Sequence, residues 1–406
     1  MAVVALLLAL LVLAIAPWAQ IPAPTRGLLP VSIAAPELSV WLLAVALLAT
    51  LLSTLAVRLS LTAPQAVPGG ANAARRRTLP KLALVLSLVG AAFPTYVLAQ
   101  IPSTLRRIDA EWQRAFGKSP SALVPVDQGF VLRPSPFTWR EMFLGMRLRP
   151  LRIFRNVPVR TAGGIELKVD IYRPVHDRIV PTVVQIHGGA WRSGDAGENS
   201  DLGKTLAASG FAVFAIDYRH APDWTWPSQL EDALDSLRWV TDHGTDYGAD
   251  PTRMALIGRS AGAQLAMRAS QDSAAPPIRA VVSIYGPVDL ADGYRVPPVP
   301  DPISTRSVLE QFLGGTPQQR PEMYADASPI TRAAQPHPPV LIITGSRDHV
   351  VEPRFGLMLH RKLIESGTSV LVNMPWADHA FDFIPFGPSS QIAMYYTQRF
   401  LAETLR

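Results

Sequence analysis

Three long apolar segments within the first 105 residues constrain the fold of this 406-residue chain most strongly. They extend over Ala2–Ala19, Leu38–Val57 and Leu82–Ile101, and none of them contains a charged residue. A helix needs about 20 apolar residues to cross the hydrocarbon core of a bilayer, and these segments lack the polar face that soluble helices carry. The pattern predicts a transmembrane region at residues 1–105 with two or three helices. The first segment is of borderline length, so it is either a span or a signal-like segment.

The charges around these segments predict an orientation. The connection between the second and third segments contains five basic residues and no acidic one: Arg58, Arg75, Arg76, Arg77 and Lys81. The positive-inside rule places such a loop in the cytoplasm. We therefore expect a multi-pass protein of the cell membrane whose chain beyond the third segment lies on the non-cytoplasmic side. Three arginines that follow this segment weaken the bias: Arg106, Arg107 and Arg114.

Residues 106–150 form a predicted juxtamembrane linker or cap with five prolines. From Trp139 to Phe154, arginines alternate with apolar residues, which suits either a segment lying on anionic lipid headgroups or a solvated cap over the next domain. Nothing in the chain resembles a nucleic-acid module, although the net charge is +6. The absence of cysteine excludes disulfides, thiolate metal ligands and a cysteine nucleophile. Membrane lipids are the expected partners of this part of the chain, and the sequence leaves the oligomeric state open.

Residues 151–406 have the pattern of an α/β domain, in which short apolar strands alternate with helices. A hairpin is predicted around Ala162–Gly164, with strands at Asn156–Arg160 and Ile165–Tyr172. The later strands are predicted at Thr182–His187, Phe211–Asp217, Met254–Gly258, Ala280–Tyr285, Val340–Thr344 and Ser369–Met374. Helices are predicted at Leu202–Ser209, Ser228–His243, Ala261–Ser270, Phe355–Ser366 and Gln391–Leu405. This alternation predicts a mostly parallel sheet that is covered by helices on both faces.

One strand-to-helix junction has the pattern of a nucleophile elbow. Gly258-Arg259-Ser260-Ala261-Gly262 follows one predicted strand and opens the next predicted helix. Positions two residues before and after the serine must lack side-chain bulk for such a tight turn, and Gly258 and Gly262 meet that need. Ser260 is therefore the candidate nucleophile; an ordinary strand-to-helix turn is the alternative.

A second loop contains His187-Gly188-Gly189-Ala190 at the end of another predicted strand. Two consecutive glycines let the backbone approach a ligand closely. In an acyl-transfer enzyme such a loop donates amide hydrogens to the oxyanion, and Gly189 and Ala190 are the best donors, together with Ala261 after the nucleophile. We expect His187 to hold the loop through hydrogen bonds rather than to act as a base.

The remaining partners of a triad should follow the serine in the order acid, then histidine. Four histidines follow Ser260: His337, His349, His360 and His379. His379 is the candidate base, because it lies in a short loop after a predicted strand. Asp348 is the candidate acid, because its position just after the neighbouring strand lets it reach that loop. We expect Asp378 and Asp382, which flank His379, to be loop-capping residues.

These separated motifs resemble the α/β-hydrolase superfamily and, within it, the hormone-sensitive-lipase-like carboxylesterases. The resemblance covers about Asn156–Arg406 and includes the segment Asp217–Pro222. It implies an α/β-hydrolase fold with a sheet of about eight strands, hydrolysis of a small-molecule or lipid ester through an acyl-enzyme, and no metal or organic cofactor. Arg259 departs from the family's usual acidic residue, and Ala190 from a common third glycine, so the substrate stays open.

Other functions remain possible on the same sequence. An amidase or arylformamidase would use the same triad. A non-catalytic membrane scaffold could retain the hydrolase fold, and a transporter is disfavoured because the three apolar segments contain no ionisable residue. The proline-rich segment Ala291–Gln318 is expected to form part of a cap over the site.

Overall fold

The structure is a computed structural model that describes residues 1–62, 71–123, 129–146 and 148–406. Six helices precede the first strand in these residues: α1 (Ala2–Ile15), α2 (Leu29–Glu37), α3 (Ser39–Thr62), α4 (Ala71–Ala99), α5 (Ile101–Phe116) and α6 (Trp139–Leu144). Arg147 and the side chains of Arg75, Arg76 and Arg77, on which parts of the sequence analysis depend, lie outside this description.

Helices α1, α3 and α4 pack against one another as a bundle. Small residues form its interior, where Gly90 faces Val12 and the hydroxyl groups of Thr50 and Ser87 lie 2.9 Å apart. Three helical stretches of the described chain are long and apolar enough to cross a membrane: Ala2–Ala19, Ser39–Thr62 and Thr78–Phe116. These stretches contain nearly all of the three apolar segments predicted from the sequence. They suit a membrane crossing by length and composition alone.

The third helical stretch continues past the predicted boundary at residue 105. Helix α5 follows α4 after one residue and packs on the sheet domain, where Ile108 and Trp112 are buried. The hydroxyl group of Tyr396 donates a hydrogen bond to Asp109 Oδ1 at 2.7 Å. The amphipathic pattern of α5 explains this packing, because one face of the helix carries its apolar residues. The bundle is thus joined to the sheet domain by a packed helix.

The sheet domain has eight strands in the order β1-β2-β4-β3-β5-β6-β7-β8. The strands are β1 (Leu151–Ala162), β2 (Ile165–Pro174), β3 (Val180–Ile186), β4 (Ala212–Ile216), β5 (Ala249–Arg259), β6 (Ala280–Ile284), β7 (Val340–Gly345) and β8 (Ser369–Met374). Strand β2 is antiparallel to both β1 and β4, and the other neighbours are parallel. The predicted hairpin and the six later predicted strands are all present, and β3, β4 and β6 are buried throughout.

Eight further helices cover the sheet: α7 (Ser200–Ala208), α8 (Ser228–His243), α9 (Ala261–Ser270), α10 (Leu290–Arg295), α11 (Thr305–Leu313), α12 (Pro321–Ala327), α13 (Arg354–Leu363) and α14 (Pro388–Thr404). Apolar side chains of the sheet divide into two buried clusters, one on each face. The predicted helices are present, and α8 and α9 have the predicted bounds. Helices α10–α12 lie in the region between β6 and β7, where the sequence predicted only part of a cap.

The connection between α1 and α3 is not a free loop. It contains a short helical turn at Ala16–Ala19 and helix α2, and it packs on the sheet domain. The C-terminal end of α1, the N-terminal end of α3 and the helix that continues α4 all lie against this domain. Trp41 near the start of α3 donates to the carbonyl of Met142 in α6, the helix that precedes β1, at 3.2 Å.

Candidate active site

Ser260 lies in a sharp turn between β5 and α9. Its backbone has φ 52° and ψ −121°, a conformation that costs free energy in a residue other than glycine and that is retained only where the surroundings enforce it. A Cβ atom on Gly258 would collide with the carbonyl of Gly262, and one on Gly262 would collide with the carbonyl of Ile186. The two glycines therefore permit the tight turn that the sequence predicted.

Three side chains, each from a loop that follows a different strand, meet at the carboxyl edge of the sheet. His379 Nε2 lies 3.0 Å from Ser260 Oγ, and His379 Nδ1 lies 2.8 Å from Asp348 Oδ2. The other carboxylate oxygen of Asp348 accepts from the amides of Val350 at 2.9 Å and Val351 at 2.8 Å. The carboxylate is thus fixed by its own loop, and it can hold one tautomer of the imidazole.

The glycine loop after β3 lies beside Ser260. Gly189 has φ 101°, and a Cβ there would collide with the carbonyl of Ser193. Among the described residues, the amides of Gly189 and Ala190 donate no hydrogen bond, and the amide of Ala261 is in the first turn of α9, where helix amides lack an intrahelical partner. All three residues line the same cavity as Ser260 and His379. Their amides can therefore donate hydrogen bonds to an oxyanion that forms beside Ser260.

His187 supports this loop. Its ring stacks on Tyr218 with centroids 4.3 Å apart, and the Tyr218 hydroxyl group donates to the carbonyl of Gly188 at 2.9 Å. Asp217 accepts from the amide of Tyr218 at 2.8 Å, and Asp232 binds Arg219. The sequence reasoning did not identify Tyr218 as a support of the loop.

One group in the described residues has the composition of a metal site. Ligand atoms of His187, Asp217 and His220 lie within 4.8 Å of one another. His187 Nε2 is 3.4 Å from Asp217 Oδ1, and its Nδ1 is 2.8 Å from the carbonyl of Gly188. The expectation that the site needs no metal or cofactor stays a prediction.

Arg259 precedes the nucleophile and is almost fully buried. Its guanidinium lies 3.0 Å from Asp382 Oδ2 and 3.8 Å from Glu198 Oε1. Asp382 also accepts from the hydroxyl group of Tyr285, whose ring packs on His379 at 4.5 Å. The departure at Arg259 is therefore compensated by two carboxylates. Asp382 binds the side chains of Arg259 and Tyr285 and does not cap its loop, so the expectation for this residue was wrong. Sequence reasoning missed Tyr285, because it lies in no recognisable motif.

The site opens into a cavity of about 560 Å³, which is in the usual range for small-molecule sites. Most of its wall is apolar, and part of it comes from residues 290–309, which include α10 and the start of α11, in agreement with the cap expected at Ala291–Gln318. The loops that carry Gly189, Ser260 and His379 form another part of the wall, and the N-terminal region adds Arg26, Leu29 and Ile33. Sequence reasoning did not place these three residues at the site, although Arg26 and Glu37 are the only charged residues between the first two apolar segments.

The connection between α1 and α3 is also hydrogen-bonded to the loop of the candidate acid, and through His349 to the loop of the candidate base. The amide of Ala23 donates to His349 Nε2 at 3.2 Å, and His349 Nδ1 lies 2.8 Å from Asp378 Oδ1. Asp378 in turn accepts from the amide of His379 at 2.6 Å. Burial lowers the pKa of His349, but the bond to Asp378 and its charge outweigh burial and the pKa is raised. Asp378 is thus a loop-capping residue, as the sequence analysis expected.

Glu37 anchors the other end of the connection. Its side chain is fully buried against the start of α14, and Oε2 accepts from the amide of Ser389 at 3.0 Å. Burial raises the pKa of Glu37 to about 8, although the hydrogen bonds from Ser389 act in the opposite direction. Glu37 therefore connects the N-terminal region to the sheet domain.

Comparisons with known proteins agree with this geometry. A family profile described as BD-FAE matches residues 169–363. The chain is 32% identical over 240 residues to the probable carboxylic ester hydrolase LipM of Mycobacterium tuberculosis, a match over 55% of this chain and 54% of LipM. It is 28% identical over 249 residues to the esterase LipQ of the same organism, over 57% of this chain and 58% of LipQ.

A solved structure extends the likeness to the fold. The esterase of Pyrobaculum calidifontis is 26% identical to this chain, with a TM-score of 0.55 over 62% of this chain and 85% of that esterase. The sheet of eight strands and its covering helices have the α/β-hydrolase fold of such esterases, and the sequence of this domain is similar to theirs. This chain spans about half the length of the curated relatives it matches.

Proposed function

We propose that this hydrolase cleaves carboxylic esters through an acyl-enzyme, with Ser260 as nucleophile, His379 as base and Asp348 as the acid that orients it. The observation that carries the proposal is the hydrogen-bonded line from Ser260 Oγ through His379 to Asp348, at the floor of a largely apolar cavity. The names of the relatives support the reaction class.

Each step uses groups that already face the cavity. His379 Nε2 accepts the proton of Ser260 as Oγ attacks the ester carbonyl, and the amides of Gly189, Ala190 and Ala261 bind the oxyanion. Collapse of this intermediate breaks the ester bond, and the alcohol leaves with the proton from His379. Water then attacks the acyl-enzyme in the same way, so that its oxygen enters the carboxylic acid and Ser260 is regenerated. One oxyanion donor contributes about 2.7–4 kcal/mol.

The test uses the full chain in detergent. We expect a fluorophosphonate probe to label the wild type and p-nitrophenyl esters to be hydrolysed, whereas Ser260→Ala shows neither reaction. Hydrolysis of an N-formyl arylamine in preference to the esters would favour the amidase or arylformamidase alternative. A folded wild type that neither reacts with the probe nor turns over would make it a non-catalytic scaffold.

The N-terminal bundle, in our proposal, crosses the membrane three times. Large apolar side chains on its helices face outward, and three consecutive helix ends on one side meet the hydrolase domain. The two crossings by α3 and α4 return the chain to the side on which it started, so the α1–α3 connection and the domain lie on the same side, as their hydrogen bonds require. The basic connection between the second and third spans then favours a non-cytoplasmic domain.

A reporter fused after Arg406 tests the orientation. We expect a reporter that works only outside the cytoplasm to be active on the native chain. Its signal should fall when Arg75, Arg76, Arg77 and Lys81 are replaced by neutral residues, because the charge bias is then lost. A native fusion that is active only with a cytoplasmic reporter would reverse the orientation and leave the catalytic proposal intact.

A further inference from the structure

Two arginines from distant parts of the chain line the candidate active-site cavity. Arg26 belongs to the connection before α2, and Arg192 follows the loop that carries Gly189 and Ala190. Burial lowers the pKa of Arg192, and the positive charge of Arg26 lowers it further. The two guanidinium groups therefore lie close enough to repel each other.

Neither arginine is neutralised by the protein. In the described ranges, Arg26 forms no side-chain hydrogen bond and no ion pair, and Arg192 donates only to the amide oxygen of Gln311, at 3.3 Å. The carboxylates at the cavity have other partners: Glu198 faces Arg259, Glu352 pairs with Arg354, and Asp289 accepts from the amide of Asp292 at 2.9 Å. Two adjacent cations without a counter-charge provide a site for an anion of the ligand.

The position of Arg192 limits where this anion can lie. Its amide donates to the carbonyl of Gly189 at 3.0 Å, so its backbone is fixed one turn away from the candidate oxyanion donors. Its side chain lines the same cavity as Ser260 and the candidate oxyanion donors, so an anion bound by its guanidinium lies within one arginine side chain's length of the loop that binds the oxyanion.

The rest of the cavity is suited to an apolar chain. Its wall includes side chains from α10, α11, α13 and the N-terminal region: Leu290, Val308, Leu309, Phe355, Leu29 and Ile33. A ligand that fills both the apolar part of the cavity and the region of the two arginines has an apolar acyl group on one side of an ester bond and a compact anion on the other side. Carboxylate and phosphate oxygens both match the planar guanidinium, but the two positive charges of Arg26 and Arg192 suit phosphate better, because it carries nearly two negative charges near pH 7.

We propose that the substrate is an acyl ester of an alcohol that carries a phosphate group a few atoms from the ester, as in an acylglycerol phosphate, and that Arg26 and Arg192 bind this phosphate. The inference rests on the proposed ester hydrolysis and specifies its substrate class. Arg26 then makes the N-terminal region a part of substrate recognition, in addition to its contacts with the catalytic domain.

The experiment compares two esters on the full chain in a non-ionic detergent. An acylglycerol phosphate and the acylglycerol with the same short acyl chain differ only in the phosphate, so the ratio of their kcat/KM values measures its recognition. We expect this ratio to fall about 3- to 10-fold in Arg26→Gln and in Arg192→Gln, and further in the double variant, since charge-assisted hydrogen bonds to partly exposed arginines are lost.

Arg361→Gln is the matched control, because Arg361 is an exposed arginine on α13 that does not line the cavity. It should leave the ratio unchanged. Added salt should lower the ratio in the wild type and have a smaller effect in the double variant. A ratio that is equal in the wild type and the double variant would overturn the inference while ester hydrolysis itself stands.

A binding measurement decides the inference even if the proposed reaction fails. The full chain with Ser260→Ala is titrated with an ether-linked alkylglycerol phosphate, with the neutral alkylglycerol and with inorganic phosphate. We expect the ether phosphate to bind most tightly and to weaken when both arginines are replaced. Equal binding of the two ether lipids, or equally tight binding of inorganic phosphate alone, would contradict recognition of a phosphorylated ester.

Discussion

The two regions of this protein place their apolar side chains in opposite ways. In the hydrolase domain, large residues such as Leu237, Phe214 and Ile257 are fully buried. In the N-terminal bundle, the fully buried residues are mostly small, among them Ala9, Ala46, Ala49 and Ala83. Leu7, Leu47, Leu51 and Val85 of the same bundle expose more than half of their surface.

This contrast supports the proposal that the bundle lies in lipid and the hydrolase domain in water. A water-soluble domain gains its stability by removing large apolar groups from water. Helices in a bilayer gain nothing from burying leucine, since lipid tails are equally apolar, and they associate through small residues that allow close approach. The bundle and the hydrolase domain therefore follow different packing rules within one chain.

The largest predicted effect concerns the catalytic half of the comparison. Asp348→Asn should reduce turnover of an ester by about 10⁴-fold, as loss of the correct histidine tautomer does in a serine protease triad. Asp378→Asn is the matched control, since Asp378 bonds to the backbone of His379 and not to its ring. Steady-state rates at one pH suffice, and a larger loss in the control would mean that Asp378 is the acid.

Substitutions of leucine and alanine should separate the two packing rules. Leu237→Ala removes a fully buried side chain from the hydrolase core and should cost about 2–5 kcal/mol in the free energy of unfolding. Leu51→Ala, on the outer surface of α3, should cost much less in detergent. Ala46→Leu should destabilise the bundle by about 1–3 kcal/mol, because the helices are forced apart.

Thermal unfolding in one detergent measures these changes, with residual activity reporting on the hydrolase domain and helix content on the bundle. Equal losses from Leu237→Ala and Leu51→Ala would mean that both regions bury their leucines. The comparison would then no longer support a lipid-facing surface.

The last prediction concerns the place where the two regions meet, at Glu37. The pKa of this buried carboxyl is raised from 4.5 to about 8, so the native state binds more protons than the unfolded state between these values. Stability contributed by the protonated form is complete below pH 4.5 and is lost as pH rises to about 8. Glu37→Gln keeps the shape without the charge, and its advantage over the wild type should grow across this window.

Thermal midpoints of both proteins at several pH values check this prediction. Glu365→Gln, at an exposed glutamate of the hydrolase domain, is the control and should follow the wild type. Parallel curves for the wild type and Glu37→Gln would mean that Glu37 has no raised pKa. Loss of the wild-type activity above pH 8, together with its retention in Glu37→Gln, would connect the docking of α2 to the cavity wall.

Local signals in the sequence predicted most of the hydrolase domain. The elbow at Ser260 depends on two glycines within five residues, and strand-to-helix alternation depends on short-range patterns, so both can be read without tertiary information. Helices α10–α12 were not predicted individually, because prolines interrupt their region and no period stands out. The roles proposed for Asp348 and His379 followed from their positions after strands, whose carboxyl ends share one edge of a parallel sheet.

The sequence by itself determined which segments are apolar, where the elbow lies and which residues follow each strand, since these depend on neighbours along the chain. Only the tertiary structure decided that Ala23 reaches His349, 326 positions later, that Arg26 lines the cavity, and that Glu37 meets α14. Such contacts have no period or motif, because they depend on which helix ends meet which edge of the sheet. Their consequence is that the region predicted as a membrane anchor also forms a wall of the candidate active site.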